Sequence, residues 1–141
     1  MKSDWKNEPI IVLDACALIA FLNDEPGAEI VAAILEEVPF VEISIINVLE
    51  IAYDAVRNSG QSASALEVID CIRRLPIEIR WDLNEAMVEV AARFKSDSRI
   101  SLADAVALSL AEIRSAPLAT SDHHEFDPLE TSGRARFIWI R

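Results

Sequence analysis

Cysteine, glycine, histidine and lysine are all scarce in this chain, and each scarcity removes a class of protein. Cys16 and Cys71 form no Cys-x-x-Cys pair and have no histidine at zinc-ligand spacing, which argues against a disulfide framework or a structural zinc site. A reducing cytoplasm is the compartment expected for such cysteine usage. Three glycines among 52% hydrophobic residues exclude a disordered acidic segment, which lacks the apolar content to offset the entropy of ordering. No stretch approaches the ~20 apolar residues of a membrane span. Ile10 to Leu22 comes nearest, and Asp14 interrupts it. The N-terminal MKSDWKNEPI has no apolar run behind a basic start, so no secretory signal is expected. A phosphoacceptor receiver domain pairs clustered acids with a lysine after a late strand, and Lys2, Lys6 and Lys95 do not supply one.

Basic charge is short as well. With 13 Lys plus Arg against 24 Asp plus Glu, the formal net charge is -11. A surface that acidic argues against tight nucleic-acid binding through phosphate neutralisation alone. The 141 residues suit one domain, 1–141, with a core that needs neither disulfide nor metal to fold.

What the chain does have is short β-branched runs alternating with longer helical patterns, without repeat or linker. That is the habit of an α/β protein with a parallel sheet. Strands are expected over residues 9–13, 40–44, 75–80, 117–120 and 137–140. Helices are expected over 15–22, 28–37, from Ile45 to a C-cap near Gly60, and over 63–74, 84–95 and 102–113.

Open parallel sheets bind ligands at the carboxyl ends of their strands. Four acids fall there or in the helices that follow: Asp14 after the first strand, Glu50 after the second, Asp104 at the start of the most apolar helix, and Asp122 after the strand ending at Thr120. Their surroundings (IIVLDACALIAFL, ISIINVLEIAY, ISLADAVALSLA, PLATSDHHEF) are more apolar than a solvated acid needs, whereas most of the other acids sit on polar faces or in turns. Each also has a purely structural reading. Asp14 can N-cap a helix, Ser101 with Asp104 matches the capping-box pattern, Asn47 with Glu50 fits a similar cap, and Asp122 can cap a short helix or close a turn. The coincidence of all four at junctions of one sheet favours a site.

If they converge, two carboxylates about 5 Å apart repel by roughly 3 kcal/mol at an effective dielectric near 20. Such a site either takes up protons or binds a divalent cation, and an all-oxygen donor set selects Mg²⁺ or Mn²⁺ over zinc. A hard cation holds a phosphate and activates water, which makes metal-assisted phosphodiester cleavage a coherent chemistry.

At these same residues the sequence resembles the PIN-domain family, and within it the VapC-type toxins of toxin-antitoxin pairs. IVLDACALIAFL, SIINVLEIA, SLADAVALSLA and LATSDHHEFDPL look like its four motifs in order, over most of the chain. The resemblance implies a three-layer α/β/α sandwich around a central parallel sheet of about five strands. It implies an Mg²⁺- or Mn²⁺-dependent endoribonuclease that leaves a 5′-phosphate and a 3′-hydroxyl, with Asp14, Glu50, Asp104 and Asp122 as metal ligands. Thr120 looks like the hydroxyl that orients neighbouring acids, and Asp127 is a candidate auxiliary acid, though a loop Asp before Pro128 is more often a turn residue. A protein antitoxin and a homodimer are the implied partners, with Ala28 to Val38 and Ala63 to Arg74 as candidate interface faces.

Cys16 stands where many relatives carry Ser or Thr, and reads as a small buried hydrophobe. His123 and His124 read as surface residues of a polar turn, and Trp5, Trp81 and Trp139 as packing residues. Arg73, Arg74, Arg80, Arg93, Lys95, Arg99, Arg134, Arg136 and Arg141 are either solvated faces or a phosphate track beside the acids. A non-catalytic interaction module on the same fold is the competing function.

Overall fold

Ile10, Ile11, Val12 and Leu13 alternate between two cores, and burial on both faces is what a central parallel strand requires. The computed structural model describes residues 4–141. Residues 1–3, part of the polar N-terminal stretch and including Lys2, lie outside the described residues. The strands are β1 (Ile10–Leu13), β2 (Phe40–Ser44), β3 (Glu78–Arg80), β4 (Leu118–Thr120) and β5 (Phe137–Trp139). They form one sheet in the order β3-β2-β1-β4-β5, and every pairing is parallel. The helices are α1 (Ala15–Leu22), α2 (Ala28–Glu37), α3 (Ile45–Ser59), α4 (Ser64–Arg73), α5 (Glu85–Asp97), α6 (Leu102–Ile113) and α7 (His123–Thr131).

Two apolar clusters make the three layers. One packs α1, α2 and the inner faces of α3 and α4 on Ile11, Leu13, Val41 and Ile43. The other packs α5, α6 and α7 on Val12, Leu118 and Phe137. Each fully buried Leu, Ile or Phe contributes about 1.5–3 kcal/mol, so both faces of the sheet are strongly specified. From β1 the chain steps outward to β2 and β3, then returns to lay β4 on the other flank of β1. The strand order therefore reverses between β1 and β4, and a crevice opens beyond their carboxyl ends.

Several sequence expectations change at their edges. The third strand begins at Glu78 rather than Leu75, because Pro76 has no N–H and Ile77 folds back to donate to the Leu75 carbonyl at 2.7 Å. Of the two readings open for Asp122, capping a short helix or closing a turn, the structure has the helix, α7, which contains Pro128. Pro128 forfeits one helical hydrogen bond, but the Asp122 cap and the burial of Phe126 and Leu129 hold the helix in place. The apolar stripe of α2, expected as an interface face, is turned inward: Val31, Ile34, Leu35 and Val38 are buried.

Glu42 departs from the solvated majority of acids. It sits in β2 at 1% exposure, accepting from Arg80 at 3.1 Å and from Arg114 at 2.9 Å and 3.0 Å, which ties β3 and the end of α6 to the sheet. Removing the charge from such a cluster leaves Arg114 without a counter-ion and Arg80 with only Asp82, at 3.5 Å. The Glu42→Gln variant should lose about 2 kcal/mol in urea unfolding, less than for a fully buried pair because both arginines are partly exposed. A loss under about 0.5 kcal/mol, the size of a neutral surface change, would mean that water already satisfies them.

Candidate functional site

The crevice between β1 and β4 is where Asp14 sits. It follows β1 directly, its N–H reaching the Ala119 carbonyl of β4 at 3.3 Å, and its carboxylate caps α1. Oδ1 accepts from the Ala17 N–H at 2.9 Å, and Oδ2 accepts from the Thr120 hydroxyl. The Cys16 thiol lies 3.1 Å from both carboxylate oxygens, so this side chain is a hydrogen-bond donor to the site rather than the inert small hydrophobe expected of it. At 2% exposure, burial pushes the Asp14 pKa up to about 6 against the opposing pull of those donors. Burial, reinforced by the Asp14 charge, pushes the Cys16 thiol to about 12, which keeps its proton available for donation.

The other three acids arrive on separate elements. Thr120, fully buried at the end of β4, accepts from the Asp122 N–H at 3.0 Å, so one hydroxyl joins the Asp14 and Asp122 segments. Asp122 caps α7 by accepting from the Glu125 N–H at 3.2 Å. Ser101 caps α6 and accepts the Asp104 N–H at 3.1 Å, one half of the expected capping box. Asp104 is raised to about 7, first by burial, with Asp14, Asp122 and Glu50 adding repulsion against the lowering effect of Ser101. The cap of α3 is Ser44, not Asn47. Asn47 lies inside the helix with no exposure, donating to Glu50 Oε1 at 3.1 Å and to the Ala103 carbonyl at 3.3 Å. Glu50 is exposed along its outer edge, yet the burial of its inner part raises its pKa, with Asn47 pulling the other way.

Asp14, Glu50, Asp104 and Asp122 line one cavity of about 290 Å³, together with Cys16, Tyr53 and Asp54, and no basic side chain shares its wall. Among the described residues, no three His, Cys, Asp or Glu side chains form a ready-made metal cage. The donor chemistry nevertheless fits a hard divalent cation. The donors are oxygen apart from one thiol, the four acids have no cationic partner while Asp54 pairs with Arg57, and three of the four are pushed toward protonation without such an ion. Helix geometry helps as well, since Asp14 and Asp122 are N-caps and Asp104 lies in the first turn of α6, where the helix dipole favours negative charge.

Asp127 is not part of this wall. It lies in α7 and binds Nδ1 of His123 at 2.8 Å, while Nε2 of His123 contacts the Arg141 carbonyl and the ring stacks on Trp139. The basic residues are mostly committed elsewhere. Arg93 pairs with Glu112, Arg134 with Asp97, Arg136 with Glu8 and Arg141 with Glu25, and the Arg73 guanidinium lies over the Trp81 ring. Tyr53 and Asp54 were not anticipated in the cavity, although their spacing of three and four from Glu50 places them on its side of α3.

Fold and site together define an open-sheet α/β/α protein with carboxylates gathered at the topological switch point. The chain belongs to the PIN-domain family, whose model matches residues 11–129, a span that includes all four acids. Its backbone is similar to that of VapBC-1 from nontypeable Haemophilus influenzae, with a TM-score of 0.69 at 18% identity over 93% of this chain and 98% of that one. A toxin-antitoxin complex from Klebsiella pneumoniae gives 0.67 at 16% identity over the same shares. VapC20 of Mycobacterium tuberculosis, described as a sarcin-ricin loop cleaving toxin, gives 0.60 at 16% identity over 75% of this chain and 84% of that one. No curated protein matches the chain by sequence.

The raised Asp14 pKa makes a stability prediction for the metal-free protein. The unfolded carboxyl titrates near 3.8 and the folded one near 6, so the native state holds the proton more tightly. Stability attributable to Asp14 therefore falls as pH rises from about 4 and levels off above about 6. Asn caps helices as well as Asp, so Asp14→Asn should gain about 2 kcal/mol over wild type near pH 7.5 in EDTA and almost nothing near pH 4. Urea unfolding at the two pH values measures this, and an equal difference at both would contradict it.

Proposed function

We propose that the chain is an Mg²⁺- or Mn²⁺-dependent endoribonuclease, the toxin of a type II toxin-antitoxin pair, acting in the cytoplasm. The observation that carries this reading is the convergence of Asp14, Glu50, Asp104 and Asp122 on one cavity at the switch point, with no cation in the wall to balance them. Family membership and the likeness to VapBC complexes support the nuclease and toxin parts of it. The two free cysteines suit a reducing compartment. Among the described residues no helix is long and apolar enough to cross a membrane.

In this reading Asp14 is the central ligand, Asp104 and Asp122 complete the metal site, and Glu50 binds directly or through water. When bound, the ion supplies a hard positive charge for phosphate oxygens and lowers the pKa of water. The chain's own groups orient the ligands. Thr120 and Cys16 fix both oxygens of Asp14, Asn47 steers Glu50, and Ser101 sets the turn that presents Asp104. Asp127 keeps at most an indirect role, through His123 beside Asp122.

A protein antitoxin and a second copy of the chain are the proposed protein partners. Leu49, Tyr53 and Leu102, exposed apolar residues on or next to the acid-bearing turns, support a partner covering the site. The competing reading, a non-catalytic interaction module, predicts no need for a metal.

Purified protein should cleave RNA when Mg²⁺ or Mn²⁺ is added and stop when EDTA removes the ion. Asp14→Asn should abolish cleavage, and Thr120→Val should reduce it about 10–100-fold, as expected when a ligand loses its orienting partner. Calorimetry should show Mn²⁺ binding by the wild type and much weaker binding by Asp14→Asn. Cleavage that survives EDTA, or full activity in Asp14→Asn, would refute the mechanism; absence of Mn²⁺ binding would favour the interaction module.

A further inference from the structure

RNA carries a negative charge at every nucleotide, and this chain has few cations left to meet it. Of ten arginines, seven are paired with carboxylates: Arg57, Arg80, Arg93, Arg114, Arg134, Arg136 and Arg141. Arg73 lies over Trp81, which leaves Arg74 and Arg99 without an ion pair or ring contact among the described residues. Arg74 follows α4 on the outer layer. Arg99 is different, because it lines a cleft.

That cleft, of about 610 Å³, is formed by the last turn of α5, the segment between α5 and α6, and the first turn of α7. Its wall has no residue in common with that of the acid cavity, but hydrogen bonds join the two walls at two points. Ser101 lines the cleft and holds the N–H of Asp104, while Glu125 lines the cleft and donates its own N–H to Asp122. The cleft thus adjoins the acidic site at the N-termini of α6 and α7.

Its charge balance is unusual for so acidic a protein. Lys95 lies in the wall with its ammonium donating to the Ile100 carbonyl at 2.6 Å, which braces the segment carrying Arg99. Asp97 is neutralised by Arg134 at 3.2 Å. Two cations therefore face one unneutralised acid, Glu125, against a whole-chain charge of -11.

We propose that this cleft is the subsite for an RNA backbone phosphate next to the scissile one, with Arg99 as its principal contact and Lys95 as a brace that adds long-range attraction. The proposal rests on the ribonuclease reading and deepens it, assigning where the strand runs on leaving the acidic cavity. A guanidinium binds phosphate through paired N–H donors, and a free, exposed Arg99 can turn into the cleft without breaking an existing ion pair. The acids would repel every phosphate not beside a cation, so this short positive segment also sets the register of the strand over the site.

Cleavage of a fluorogenic single-stranded RNA oligonucleotide with Mn²⁺, followed across a range of KCl concentrations, tests this on wild-type, Arg99→Ala and Arg99→Lys proteins. Arg99→Ala should lower kcat/KM roughly tenfold, as for a lost hydrogen bond to a charged group, with the change carried by KM. It should also reduce the salt dependence by about one phosphate contact. Arg99→Lys should recover most of the salt slope, and melting temperature and Mn²⁺ affinity should match wild type in both variants. Unchanged KM and salt slope in Arg99→Ala, or a fall confined to kcat, would overturn the subsite while leaving the nuclease reading intact. No cleavage by the wild type would overturn both.

Discussion

Everything at the candidate site depends on one costly arrangement, a carboxylate buried at 2% exposure between two parallel strands. Asp14 is tolerated there because both oxygens of its carboxylate accept from donors, the Ala17 N–H, the Thr120 hydroxyl and the Cys16 thiol, while the group still lines the cavity. Those donors come from the α1 turn and from β4, so the bonding that makes the acid tolerable also locks the switch point of the sheet. Burial still wins, as the raised pKa shows, and the unpaid remainder is what a cation can relieve.

The remaining acids follow a common local rule. Each comes from a strand end or loop that becomes a helix, and a short polar residue or the acid itself satisfies the open N–H groups of the first turn. Capping and function are therefore not competing explanations here. The cap fixes the backbone of the turn, the dipole makes negative charge less costly at that end, and the topology of a 3-2-1-4-5 sheet aims these helix starts at one crevice. Glu50 is the exception, since it lies beyond the first turn of α3 and needs Asn47 to orient it.

How much of this could be read in the sequence varied with the range of the interaction responsible. β1, β2, α1, α3 and α6 were legible because hydrophobic periodicity and capping are local signals, and the positions of the four acids followed from those boundaries. The sequence alone leaves α7 open between a short helix and a turn, because the helix-breaking tendency of Pro128 is overridden only by burial of Phe126 and Leu129 in a core built by distant segments. Glu42 was hidden for the same reason, because its two arginines lie 38 and 72 residues away. Cys16 could be placed beside the site by its spacing from Asp14, yet its donation to both oxygens depends on the fold of the turn. Asp127 looked like a site residue by proximity in sequence, and one helical turn carries it to His123 instead.

The Asp14–Thr120 contact joins residues 106 positions apart. At roughly 5–20 residues per second, a ribosome takes about 5–20 s to travel from one to the other. Throughout that interval Asp14 has neither its hydroxyl donor nor the strand that walls its crevice, and Asp104 and Asp122 are themselves late to appear. A nascent chain of this protein therefore carries no assembled acidic centre until its last quarter has left the exit tunnel. Order of synthesis acts here as a timer, delaying the moment at which the four acids can meet in one crevice.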